Sequence, residues 1–176
     1  MTVVYPEGTP TLGNIKVTVL VDIPDDLTGI TEAELAAGVD VSCYLYPAGW
    51  APTGSTAKGT KPARLCSKVT LEQLNRTSYT FGDLQYVYDP QGAPGADGNE
   101  LYDLLVDGTE VVFVERRGLD AEDTPWDAGQ NYRAHHMEVG AQIDMGDPTD
   151  ENAEFFIQQS ASYKNAGPVR GVVDAS

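Results

Sequence analysis

The sequence predicts a mainly β protein, an antiparallel β-sandwich or barrel with one or two short flanking helices. Three observations carry that expectation. Several segments alternate apolar and polar residues with period two. Eighteen glycines and eleven prolines supply turns between short strands. Helical signals are short, so the strands are joined by turns and not by long crossover helices. The 176 residues suit one domain with a substantial core.

Residues 1–13 contain Pro6, Gly8, Pro10 and Gly13 and read as an extended N-terminal arm, with a single β domain over 14–176. Ile15, Val17, Val19, Val21 and Ile23 then alternate with Lys16, Thr18, Leu20 and Asp22, which predicts a strand with one buried and one more exposed face. Thr31 and Glu34 form a capping box that opens a short helix, with Gly38 able to close it. Val39, Val41, Cys43 and Leu45 make one face of a second strand. Residues 47–63 lose the alternation and read as a long loop, a feature that tends to be functional. A short strand near 64–70 and a polar or helical turn near Leu71–Arg76 follow.

Tyr79–Asp89 reads as a strand pair or kinked strand, with Leu84, Tyr86 and Tyr88 on one face. Pro90–Asn99 is a turn, and Glu100–Asp107 is a short helix stopped by Gly108. The run Val111-Val112-Phe113-Val114 predicts a strand covered on both faces. Residues 118–131 form an acidic loop. His135, Met137, Val139, Ala141, Ile143 and Met145 give the cleanest alternation in the chain. Ala153–Lys164 is a further strand, and Pro168–Val173 is a short strand or part of a C-terminal tail from about 165 to 176.

Charge narrows the function. Twenty-seven acidic residues face eleven basic ones, a net charge of −16. Duplex binding depends on Lys and Arg displacing counterions from phosphates, so a chain this acidic is repelled by DNA and by anionic membranes. No apolar run approaches the roughly 18 residues that span a bilayer. The first residues show no basic region followed by an apolar stretch, so no secretory leader is expected and Cys43 and Cys66 are expected as thiols.

The residues that could carry chemistry do not form a site. His135 and His136 are adjacent on a strand and point to opposite faces, so they cannot chelate one metal together. His135 is expected as a satisfied interior or interface residue. The run from Gly54 to Lys61 departs from a phosphate loop, because no lysine directly follows its second glycine. Asp144, Asp147, Asp150, Glu151 and Glu154 lack the spacing of a calcium loop and read as a solvated turn. No catalytic, cofactor-binding or metal-binding residue is assigned, and the chain is expected not to be an enzyme.

What stands out is polarity. Residues 47–76 carry Lys58, Lys61, Arg64, Lys68 and Arg76 against Glu72 alone, while the remainder is near −20. Such polarity suits head-to-tail contacts between identical subunits. The small or amide residues Thr18, Ser42, Gln142, Gln158, Ser160 and Ser162 are expected on exposed strand faces that could join across subunits.

The order and texture of three segments carry a family likeness over roughly residues 10–170. They are Leu84–Gly92, Glu100–Gly118 and the strand ending Val139-Gly-Ala-Gln-Ile-Asp144. In these the chain resembles the major tail, or tail tube, proteins of long-tailed, non-contractile bacteriophages, particularly those infecting actinobacteria. The resemblance implies hexameric rings that stack into a tube around a tape measure protein. It implies assembly in the host cytoplasm, a place in the virion tail between terminator and tip or initiator proteins, and a lumen that DNA crosses during ejection without specific binding or membrane insertion. It also implies contacts between rings through a long loop and terminal arms. Here those are loop 47–63, with Trp50, Lys58, Lys61, Arg64 and Lys68 in or beside it, and arm 1–13 with Tyr5. Two other readings remain open on the sequence. One is a tail terminator or other ring-forming tail protein. The other is a carbohydrate- or protein-binding β-sandwich presenting Trp50, Tyr44 and Tyr46 as an aromatic platform.

Overall fold

The computed structural model describes residues 8–62, 64–66, 69, 71–93, 95 and 98–175. The described strands are β1 (Ile15–Leu20), β2 (Val39–Asp40), β3 (Pro52–Thr60), β4 (Glu72–Phe81), β5 (Leu84–Val87), β6 (Glu110–Arg117), β7 (Asn131–Met145), β8 (Phe156–Tyr163) and β9 (Val169–Val172). Two short helices, α1 (Glu32–Ala37) and α2 (Glu100–Leu104), flank them. The main sheet runs β2-β1-β6-β7-β8-β5, and β9 pairs with β7 beside β8. Every pairing in it is antiparallel. The segment after β2 curls the sheet back on itself. Val41 N–H donates to Val17, Tyr46 N–H donates to Gln85 at 2.9 Å, and Val87 N–H donates to Tyr44 at 3.0 Å. One segment thus ties β1 to β5 and gives the barrel-like form.

β6 shows why the chain folds this way. Its apolar run has no polar face, so both faces must be covered. Val111 and Phe113 enter the core inside the curl, with Val17, Val19, Leu84, Tyr86, Met137 and Ile157. Val112 and Val114 enter a second core with Leu20, Ile30, Leu35, Tyr132 and Val173. Burying each such side chain contributes roughly 1.5–3 kcal/mol. α1 closes the second core with Leu35. The Thr31 hydroxyl accepts from Glu34 N–H at 3.2 Å, and the Glu34 carboxylate accepts from Thr31 N–H at 2.8 Å. Gly38 ends the helix in extended backbone, so its role is close approach: a Cβ there would sit 2.9 Å from the Val19 carbonyl oxygen.

Five local expectations are corrected. β1 is buried on both faces, Lys16 and Thr18 included, because α1 and the 118–131 loop cover the face expected outside. Lys16 reaches Asp40 at 2.8 Å and the Ala121 carbonyl at 3.0 Å, and Thr18 accepts from the Trp126 indole at 2.9 Å. The second strand stops at Asp40, whose carboxylate accepts from both the N–H and the hydroxyl of Ser42 and turns the chain. β7 carries a bulge between Val139 and Gln142, with Gly140 and Ala141 opposite Ser160. Beyond it the faces exchange. Gln142 turns in to donate to the Tyr86 hydroxyl at 3.0 Å, while Ile143 is 56% exposed. Finally, the loop expected at 47–63 contains a strand. A single 3-10 turn, Pro47–Gly49, leads into β3, which pairs with β4 as a separate two-stranded sheet. The turn expected near Leu71–Arg76 falls mostly within β4, and the strand expected near 64–70 is not among the described strands.

Buried Gln159 closes the interior opposite the bulge. Its amide donates to the carbonyls of Leu105 (2.8 Å) and Gly140 (2.7 Å) and accepts from Tyr86 (3.0 Å). The α1 capping box gives a direct stability test: Thr31→Ala should lower unfolding free energy by about 1 kcal/mol. Urea unfolding followed by tryptophan fluorescence measures it, and the m-value should not change.

Candidate assembly surface

The β3–β4 hairpin is the most exposed regular element described. At about 3.3 Å per residue its nine- and ten-residue strands extend on the order of 30 Å. All but a few of its described side chains are exposed on both faces, which is why no hydrophobic alternation betrays it. Order comes from cross-strand hydroxyl pairs: Thr53 with Thr80 at 2.7 Å, Thr56 with Thr77 at 2.9 Å and Ser55 with Ser78 at 3.3 Å. β3 and β4 pair only with each other among the described strands. A lone hairpin is marginal in water, and its open edges invite pairing with another chain. Near its tip Leu65, Val69, Leu71 and Leu74 are largely exposed.

The hairpin and its connection also carry Lys58, Lys61, Arg64 and Arg76. Their only described ion pair is Lys58–Glu72 at 3.9 Å between exposed side chains, an arrangement worth little. Lys68 and Tyr5, the other contact candidates, lie outside the described residues. Trp50 differs from the lysines, because it sits at the root of the hairpin and packs inward.

That root is built around a fully buried carboxylate. Glu115 accepts from the Trp50 indole N–H at 3.0 Å, Arg117 Nε at 2.6 Å and His135 Nε2 at 3.3 Å. His135 Nδ1 lies 2.9 Å from the Tyr163 hydroxyl. A neutral imidazole with its hydrogen on Nε2 satisfies both bonds. Trp50 packs edge-on against Phe81 (5.1 Å) and His135 (5.6 Å), so the residue two positions before the hairpin meets its last residue on one platform. Gly49 presses on the backbone of Gln85, where a Cβ would clash. Burial pushes the Glu115 carboxyl up, but hydrogen bonds from His135, Arg117 and Trp50 outweigh it and hold it down at about 2. His135 is the satisfied interior residue expected. Glu115, Arg117 and Tyr163 were not singled out from the sequence. The available signal was a glutamate inside a run otherwise buried on both faces.

The other sequence candidates do not converge. The Tyr44 hydroxyl donates to Glu100 at 3.1 Å and the Tyr46 hydroxyl to Glu154 at 2.7 Å, so with Trp50 turned inward the three rings form no shared platform. Asp147 and Asp150 accept from the backbone N–H groups of Thr149 and Asn152, as a solvated turn does. Among the described residues no three His, Cys, Asp or Glu side chains group to hold a metal, and no helix is long and apolar enough to cross a membrane. Cys43 and Cys66 are free and exposed.

The hairpin is thus long, exposed on both faces and anchored at its root. The family described as phage tail tube protein matches residues 2–176, nearly the whole chain. The chain is a member of the phage tail tube protein family. No curated protein matches it. Membership gives the tail tube protein a structural role in the bacteriophage tail, implies self-assembly into a tube, and implies a non-enzymatic function.

The buried carboxylate of this tail tube protein yields a pH signature. Its folded pKa is depressed, so its stabilisation is present above the ordinary value of 4.5 and fades as pH falls towards about 2. The span corresponds to on the order of 3 kcal/mol. Glu115→Gln should therefore be less stable than the parent at neutral pH, and the difference should shrink on acidification through that window. Urea unfolding at stepped pH measures both.

Proposed function

We propose that this tail tube protein assembles into stacked hexameric rings whose lumen conducts DNA during ejection, with the β3–β4 hairpin reaching the neighbouring ring. The observation that carries this reading is the hairpin itself: about 30 Å of strand exposed on both faces, yet fixed at its base by Glu115, Trp50 and Phe81. A rigid root with an uncovered shaft is what a subunit needs to grip a copy beyond its own barrel. Arm 1–13 and the tail from about 165 to 176 supply further contacts between rings. The tape measure protein fills the tube during assembly in the host cytoplasm, and terminator and tip proteins close its ends. The strongly acidic balance suits the conduit, since a negatively charged wall repels phosphate and lets DNA slide. Hexameric stoichiometry follows the family likeness.

Electron microscopy of the purified chain should show rings or tubes. Replacing Thr53–Thr80 by a short glycine turn should leave the barrel folded by circular dichroism and abolish tubes. A parent chain that stays monomeric at high concentration, even with tape measure and initiator proteins, would refute the proposal. Growth that stops at one ring would indicate a terminator.

A further inference from the structure

The barrel carries a second cationic feature near the hairpin root. Arg133 on β7 and Arg170 on β9 are direct cross-strand partners, so both side chains leave the same face of the sheet. Like charges placed opposite one another destabilise a sheet. Arg117, on the other neighbour of β7, lines the same cleft of about 290 Å³, together with Glu115 and Asn131. Glu115 is already committed to Trp50, Arg117 and His135. No acidic side chain among the described residues forms an ion pair with Arg133 or Arg170. Glu115, also the cross-strand partner of Arg133, is thus the one carboxylate lining this cleft, set against three arginines.

We propose that Arg133 and Arg170, with Arg117, form a carboxylate-binding cleft filled by the acidic β7–β8 turn of a second copy. The inference rests on the tube assembly proposed above and names one of its contact surfaces. Planar guanidinium groups match carboxylates with two parallel hydrogen bonds. The turn suits the cleft in charge and position. No Lys or Arg occurs between Arg133 and Lys164, while Asp147, Asp150 and Glu151 are exposed in the turn. Asp147 and Asp150 use Oδ1 for the bonds that fold the turn, which fixes its shape before contact and leaves Oδ2 for a partner. The turn enters β8 at Phe156, whereas the cleft lies by the other end of β8, where Tyr163 meets His135, two residues from Arg133. Roughly 23 Å of strand separates the two ends. A copy displaced along the strand direction brings its turn to this cleft, a head-to-tail contact that repeats without closing.

Charge reversal tests this. R133E/R170E should reduce the assembled fraction at least tenfold by sedimentation and electron microscopy, and adding E151R, which spares the bonds that fold the turn, should restore part of it. Arg170→Glu alone turns a like-charge pair into an opposite one, so the melting temperature of the unassembled subunit should hold or rise while assembly weakens. A structural role for Arg170 would lower it instead. Wild-type tube yield from R133E/R170E would overturn this inference and leave the tube reading standing, as would an R133E/R170E/E151R variant with no recovery. Normal assembly with lost retention on a phosphate-bearing resin would assign the cleft to phosphate instead. A wild-type chain that never assembles would overturn both readings together.

Discussion

A single negative charge in a dry place organises this molecule. Glu115 lies at the end of β6, the strand with two buried faces, where an ionised carboxylate survives only if donors surround it. Its donors come from three directions: the entry to the hairpin, its own strand and the neighbouring β7. Removing any one leaves a buried charge short of a partner, so the three elements hold a fixed relation to each other. The barrel is thereby joined to its protruding hairpin through hydrogen bonds that have direction, where apolar contact alone would permit sliding.

The same end of the molecule collects cations, and the far end of β8 collects carboxylates. Each grouping holds more like charge than its internal bonds use. Arg133 faces Arg170, and the hairpin lysines and arginines find little to pair with. In the proposed assembly the surplus charge of each end would meet its complement on a neighbouring copy. Seen this way, the net charge of −16 is less informative than its uneven distribution.

Much of the barrel was legible in the sequence because burial leaves a pattern. The capping box at Thr31 and Glu34, the two-sided run at Val111–Val114 and the inward His135 all follow from side chains meeting a core. The errors share a cause. In β3 and β4 neither face is buried, so Thr, Ser and Gly occupy positions that alternation cannot read, and a strand resembles a loop. At Gly140 a single extra residue exchanged the faces of β7, so Ile143 was assigned inside and Gln142 outside. The basic character of 47–76 was readable from composition, but the Arg133–Arg170 opposition was not, since it depends on the register between β7 and β9.

β7 has a mechanical consequence. Its fifteen residues make it the longest described strand, and it is bonded to β6 along one edge and to β9 and then β8 along the other. A pull along its axis loads those hydrogen bonds in shear, many at once, and does not peel them apart one by one. The subunit is therefore stiff along this direction and softer across it. A filament whose load runs along β7 would bend more readily than it stretches.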